Sequence, residues 1–382
     1  MRRTCFATLI VLAQAVLVAA SAFAAEQGPT VPKEKTPLFN GKDLTGWTFH
    51  LGKADVDPKT VWSVKDGVIR CEGSPAGYMQ TTADYADYKL HLEWRWPEGG
   101  GNSGVLLHMT GRDAVWPRSI ECQLMSGRAG DFYLIDGTDF NEHQDKSDTR
   151  VPRKKESSEK PLGEWNAYDI ACRGNSIHVY VNGVLQNVAT GTTVAAGKIC
   201  LQSEGKPIEF RNLYLEPPAP LFTLKDQDEK DVSLSDLAGK IVVLEWMNYD
   251  CPVSRRHYDR GTFDALAEKY KDQGVVWLAV NSTHYSTPER NRKFAQEHNV
   301  PYPILDDRTG EIGRKYGAKT TPHICIVQGG SVVYSGAIDD DPGGNKAAPV
   351  NYVERAIEEI LAGKPLSTPR TQPYGCSVKY AK

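Results

Sequence analysis

The chain has 382 residues, a formal net charge of −3, 24% charged and 40% hydrophobic residues. That length suits about two domains, and the near-neutral balance excludes a basic nucleic-acid-binding surface. The one basic run, Arg150 to Lys160, is interleaved with Glu156 and Glu159 and reads as a solvated loop.

At the N-terminus, Arg2 and Arg3 precede an apolar run from Phe6 to Val18, and Ala22-Phe23-Ala24 follows. This is the pattern of a secretory leader, residues 1–24, cleaved after Ala24. The run is short and Gln14 interrupts it, so it does not suit a retained anchor. No other stretch is long and apolar enough to span a bilayer. A periplasmic or secreted protein is expected, with no membrane partner after cleavage. The chain has eight cysteines, and Cys5 leaves with the leader. An odd number then remains, which in an exported chain implies a free or transiently paired thiol.

Short alternating strands follow. Tyr88, Leu90, Leu92, Trp94 and Trp96 alternate with Lys89, His91, Glu93 and Arg95. Ile177, Val179 and Val181 alternate with His178 and Tyr180, and Asn182-Gly183 supplies a tight hairpin turn. Further strands are predicted at Trp62–Cys71, Val105–Met109, Ile120–Met125, Tyr168–Cys172, Lys198–Ser203 and Ile208–Leu215. With no long helix, the pattern predicts an all-β antiparallel sandwich.

Period-two alternation also predicts which side chains share a face. On strand 120–124, Glu121 and Gln123 oppose Ile120, Cys122 and Leu124. On strand 105–109, Leu106 and His108 share a face. If the two strands are neighbours, Glu121, Gln123 and His108 form a polar cluster on one sheet face, a common place for sugars. Trp116 and Trp165 suit stacking on sugar rings. Arg118 suits a hydroxyl or keto oxygen. Cys71, Cys122, Cys172 and Cys200 fall in strands, as buried thiols or with one unassigned disulfide.

A series of motifs spans residues 36–216: Leu38-Phe39-Asn40-Gly41 running to Gly46-Trp47, Trp62-Ser63-Val64-Lys65-Asp66-Gly67, Gly101-Asn102-Ser103-Gly104, Val115-Trp116-Pro117-Arg118 running to Glu121, Gly130-Asp131-Phe132, and Gly163-Glu164-Trp165-Asn166. In this order they resemble the 3-keto-disaccharide hydrolase family, a concanavalin/laminin-G-like jelly roll. The resemblance implies cleavage of glycosides whose sugar carries a 3-keto group. Such a group acidifies C2–H, so a base removes that proton, the glycosidic oxygen leaves from C1, and water adds later. One base, one acid and a polariser of the carbonyl suffice, without the carboxylate pair of ordinary glycosidases. Glu121 is the expected acid/base, assisted by His108 and Arg118. Gln123, Asp131, Trp116, Trp165 and Asn102 are the expected substrate-binding residues, and His143 is a weaker candidate. No cofactor is required. A divalent metal could polarise the keto oxygen, but no tight ligand spacing is visible.

Pro217-Pro218-Ala219-Pro220 reads as a linker, residues 217–220. Beyond it, strands alternate with helices: strand 241–247, a helix carrying Phe263, Leu266, Ala267 and Tyr270, strand 275–281, a helix near 288–298, strand 302–305, a hairpin at 323–337, and a last helix ended by Gly363. Strand Ile241-Val242-Val243-Leu244-Glu245-Trp246 leads to Asn248-Tyr249-Asp250-Cys251-Pro252 and a helix. A cysteine there meets the positive end of the helix dipole, which favours the thiolate. Arg255, Arg256 and His257 are expected to act in the same direction.

This unit, the opening Phe222-Thr223-Leu224-Lys225-Asp226, and Thr320-Thr321-Pro322 ahead of a strand together resemble the thioredoxin-like redoxins of AhpC/TSA type over residues 220–366. The resemblance implies an α/β domain with a cis Pro322 beside the reactive sulfur of Cys251. The sequence departs from it in two ways. Ser254 replaces the second cysteine of C-x-x-C, and Leu244 and Asn248 replace the Pro and Thr or Ser of peroxiredoxins. Cys376, in the tail 367–382, could fold back and pair with Cys251, or remain free or purely structural. Cys325 reads as a core residue.

The expected protein is therefore an exported glycosidase of keto-sugars carrying a thiol oxidoreductase or antioxidant domain, with a saccharide and a thiol/disulfide electron donor as partners. The alternative is a carbohydrate-binding module that delivers the thioredoxin-like oxidoreductase or peroxidase.

Overall fold

The computed structural model describes residues 28–364 and 366–381. The leader expected over 1–24 lies outside them. Among the described residues no helix is long and apolar enough to cross a membrane.

The first half folds as two antiparallel sheets. One runs, in spatial order, Val184–Thr190, Ser176–Val181, Asn166–Arg173, Tyr88–Arg95, Ile208–Glu216, Val68–Cys71 and Trp62–Lys65. The other runs Arg150–Val151, Phe132–Ile135, Ser119–Gln123, Gly104–Met109, Lys198–Ser203, Gly77–Thr81 and Trp47–Leu51. Alternation sends Leu90, Leu92, Trp94 and Tyr168 from the first sheet against Val105, Leu107, Ile120 and Cys122 from the second. Each such large apolar side chain contributes roughly 1.5–3 kcal/mol on burial. The expected single strand Trp62–Cys71 is instead a hairpin. Lys65 pairs with Val68, and Asp66 and Gly67 take φ of 51° and 76°. Asp-Gly forms the same tight turn as Asn182-Gly183, where φ is 49° and 81°.

The second half is thioredoxin-like. Its five-stranded sheet orders Ile304–Asp306, Val275–Asn281, Ile241–Trp246, His323–Gln328 and Ser331–Gly336. The first three strands are parallel and the last two join antiparallel. Helices Pro252–Asp259, Thr262–Tyr270, Pro288–Glu297 and Tyr352–Leu361 surround it. One element was not anticipated: tail strand Cys376–Ser377 pairs with Thr320–Thr321.

Glu245, in the middle of the central strand, is fully buried. Its Oε2 accepts from Trp277 Nε1 at 3.0 Å and from Tyr302 OH at 3.3 Å. Burial raises its pKa to about 8, and the hydrogen bond from Trp277 only partly opposes this. The folded carboxyl therefore stays protonated while the unfolded one ionises from about 4.5 upward. The stability tied to this group is complete below pH 4.5 and drains away up to about pH 8. We predict that denaturation midpoints of this domain fall across that window, by on the order of 3–5 kcal/mol. In Glu245→Gln the fall should be much smaller.

Candidate functional sites

Glu121 pairs with Leu106 on one side and Tyr133 on the other. Leu106 packs with Tyr78, Met109 and Cys200, apart from the core between the sheets. Glu121 therefore stands on the outer face of its sheet. Gly104 makes room for it, because a Cβ there would overlap the Glu121 carboxyl. Loops deepen this face into a cleft of about 350 Å³ lined by Asn102, Trp116, Glu121, Gln123, Tyr133 and Glu204, among others.

Glu121 is only 5% exposed. Its Oε1 has no hydrogen-bond partner among the described residues. Burial, then the nearby Glu204, raises its pKa to about 8. Glu204 is also raised by burial, with a hydrogen bond from Asn102 opposing. Two carboxyls thus share one cleft, and one of them is protonated at neutral pH. Gln123 Oε1 accepts from the Leu124 and Met125 amides at 2.8 and 2.7 Å, fixing its side chain at the floor. Trp116 stands at the rim, 47% exposed.

Other expected site residues lie elsewhere. His108 does not share a face with Glu121. The pairs Lys198–Met109 and Cys200–Leu106 leave one residue opposite two. This β-bulge, with φ of 52° at His108, reverses the alternation. The imidazole is buried edge-on against Tyr88 at 5.7 Å, and burial lowers its pKa to about 4. The Asp131 carboxylate is fully buried and held by Arg150 at 2.7 Å and the Arg153 amide at 2.8 Å, so it is structural. Trp165 is held by Arg95 and Arg211 of the other sheet, whose guanidinium groups lie 4.6 and 4.1 Å from its ring. Arg118 donates to the Asp136 carbonyl at 3.0 Å, beside the cleft wall rather than toward Glu121. His143 is bonded to Asp139 and to the Asp148 carbonyl, both at 2.8 Å. Among the described residues no three His, Cys, Asp or Glu side chains gather as metal ligands. Sequence reasoning missed Glu204 and Tyr133. The alternation Cys200-Leu201-Gln202-Ser203-Glu204 held the signal for the first.

The second site is at Cys251, the N-cap of helix Pro252–Asp259. The thiol is buried and donates to the Thr321 carbonyl at 3.0 Å, and the Thr321–Pro322 bond is cis. Burial alone would raise the Cys251 pKa. Hydrogen bonds from the Cys376 and Thr321 side chains and from the Ser254 and Cys376 amides outweigh burial and lower it. The basic residues act less than expected. Arg256 Nη2 turns to the Asp341 and Pro342 carbonyls at 3.3 and 3.0 Å. Burial lowers the His257 pKa to about 4, and the ring meets Tyr374 OH at 3.2 Å.

The tail brings Cys376 to this sulfur. Thr371 Oγ1 accepts from the Ala337 amide at 2.8 Å, Tyr374 OH bonds Asp339, and Val378 N donates to the Lys319 carbonyl at 3.1 Å. Gly375 takes φ of 124° against Thr321, and a Cβ there would overlap the Thr321 carbonyl. Its thiol bond to Cys251, then burial, raises the Cys376 pKa to about 11. Both are free thiols here, as are Cys71, Cys122, Cys172, Cys200 and Cys325, all five buried. Asn248 Oδ1 is occupied by the Asp250 amide at 2.8 Å.

Together these features define an antiparallel β-sandwich with a two-carboxyl cleft, followed by a thioredoxin-like redoxin domain. Residues 34–216 match the 3-keto-alpha-glucoside-1,2-lyase-like domain, and residues 215–336 match the AhpC/TSA family. Peroxiredoxin Q, chloroplastic, of Gentiana triflora is 33% identical over 99 residues, covering 26% of this chain and 43% of that protein. Thiol-disulfide oxidoreductase ResA of Bacillus thuringiensis subsp. konkukian (strain 97-27) is 28% identical over 104 residues, covering 27% of this chain and 58% of that protein. The chain thus spans about half the length of these curated relatives. An uncharacterized conserved protein from Geobacillus kaustophilus, of known crystal structure, is 30% identical, covering 43% of this chain and 90% of that one, with a TM-score of 0.40.

The Gly104–Glu121 fit gives a direct test. Gly104→Ala should displace the carboxyl and destabilise the sandwich by about 1–3 kcal/mol, read from its denaturation midpoint. An unchanged midpoint would show that the carboxyl moves aside freely.

Proposed function

We propose that the sandwich cleaves 3-keto glycosides and that the redoxin domain carries out thiol–disulfide exchange through Cys251 and Cys376, in an exported protein. One observation carries the first part. A buried, unpaired carboxyl, Glu121, faces a second carboxyl, Glu204, in the cleft of a domain matching the 3-keto-alpha-glucoside-1,2-lyase-like family. In this reading Glu204, as carboxylate, takes the C2 proton, and its electron pair moves toward the keto oxygen. The C1–O bond then breaks, and protonated Glu121 donates its proton to the departing oxygen. Water adds to the enone afterwards, so atoms and charge balance. Trp116 offers an apolar face to the sugar ring, and Gln123 and Asn102 offer polar contacts.

For the second half, the tail's docking beside Cys251 supports a dithiol couple without C-x-x-C. Oxidation of the two thiols gives one disulfide and passes two electrons and two protons to a substrate disulfide, which leaves as two thiols. Asn248 in place of the peroxiredoxin Thr or Ser, with its Oδ1 taken by the Asp250 amide, supports exchange over peroxide reduction. The leader pattern supports export.

Turnover of a 3-keto-α-glucoside tests the first reading. Glu121→Gln is expected to lose at least about 100-fold in kcat/KM, and the wild-type rate should decline as pH rises through about 8, where Glu121 gives up its proton. A wild type that binds sugar but never releases product makes the sandwich a binding module for the redoxin. Peptide mapping after mild oxidation tests the second: a Cys251–Cys376 cross-linked peptide is expected, and disulfide reductase activity should vanish in Cys251→Ser. Failure to find that peptide under any oxidant rejects the couple.

A further inference from the structure

Elimination from a keto-sugar needs a donor at the keto oxygen as well as an acid and a base. Arg118 and His108 are both turned away from Glu121. Gln202 is better placed. Leu201 pairs with Val105 and Cys200 with Leu106, so Gln202 falls beside Gly104. That is the glycine over which the Glu121 carboxyl lies. Gln202 shares its face with Cys200 and pairs with Tyr78, both in the outer-face cluster around Leu106.

Gln202 is fully buried, yet neither its Nε2 nor its Oε1 has a hydrogen-bond partner among the described residues. Gln80 Oε1 and Glu121 Oε1 nearby are unpaired in the same way. Leaving a buried amide unpaired is costly, so such a group is normally satisfied by protein, by ordered water or by a ligand, and one lacking a protein partner beside a cleft is a candidate for the last. Gln123 on the same floor is, by contrast, bonded to the backbone. The segment 110–118 folds back over this part of the sheet. Its Asp113 accepts from Tyr78 OH at 2.9 Å and Gln80 Nε2 at 3.1 Å, and it carries Trp116 to the cleft rim.

We infer that the saccharide site continues beneath the 110–118 segment, where Gln202 presents its amide N–H to the keto oxygen of the sugar beside Glu121. This rests on the keto-glycoside reading. Entry of the sugar requires Asp113 to release Tyr78 and Gln80, and lifting the segment opens the floor to Gln202. As the C2 proton leaves, negative charge gathers on the keto oxygen. A neutral amide donor in a dry pocket stabilises that charge without itself losing a proton.

The test is steady-state turnover of the same 3-keto-α-glucoside by Gln202→Met, together with deuterium incorporation at C2 from D2O. The expected result is a loss of about 100-fold in kcat with little change in KM, and a parallel loss of exchange. If Gln202→Met does not fold, Gln202→Asn keeps the amide but retracts it by one methylene, and the same loss is expected. A folded variant with kcat within about threefold of wild type overturns the inference while leaving the hydrolase reading intact. A wild type with no turnover overturns both.

Discussion

Strict alternation along a strand decides what the sandwich half of this protein can do. In the sandwich, every second residue of strand Ser119–Gln123 feeds the core between the sheets, so Glu121 and Gln123 must face outward. That outward face is then closed off by loops, which strips water from a carboxyl that has no cation beside it. The raised pKa of Glu121 follows from this geometry: an acidic residue fixed by register in a place too dry for its charge. Gly104 belongs to the same constraint, since any side chain there would compete with the carboxyl for one volume.

A parallel economy governs the redoxin half. The central strand ends at a loop that places Cys251 at a helix N-terminus, where the Ser254 amide favours its thiolate, while Arg256 and His257 turn to other partners. Hydrogen bonds from the docked tail are among the largest contributions to its lowered pKa. The tail is held on both sides of Cys376, by Tyr374 on Asp339 and by Val378 on the Lys319 carbonyl. Ser254 stands where C-x-x-C has its second cysteine, and the thiol that bonds Cys251 comes instead from a two-residue strand 125 positions later, at Cys376. The same contact that lowers one pKa raises the other, as expected for two thiols sharing a proton.

The sites were only partly legible in the chain. Glu121 and Gln123 were readable because an uninterrupted run of alternation carried them. His108 was not, because a one-residue bulge leaves no mark in a five-residue pattern. Asp131 and Trp165 have residue types suited to binding sugar, yet Arg150 claims one and Arg95 and Arg211 the other. Sequence reasoning has no access to these pairings, because the partners lie on different strands or loops. Glu204 was missed since it only joins Glu121 once strand Lys198–Ser203 sits across Gly104–Met109.

The sequence by itself determined the two-domain order, the β-sandwich followed by the α/β domain, the strand-to-helix placement of Cys251, and the inward or outward face of most strand residues. These are local properties, set by periodicity, turn chemistry and caps. Only the tertiary structure decided which polar residues share a cleft, that His108 belongs to the core, and that Cys376 reaches Cys251. Each of those depends on contacts between segments far apart in the chain, where burial, register and close backbone approach select the neighbours.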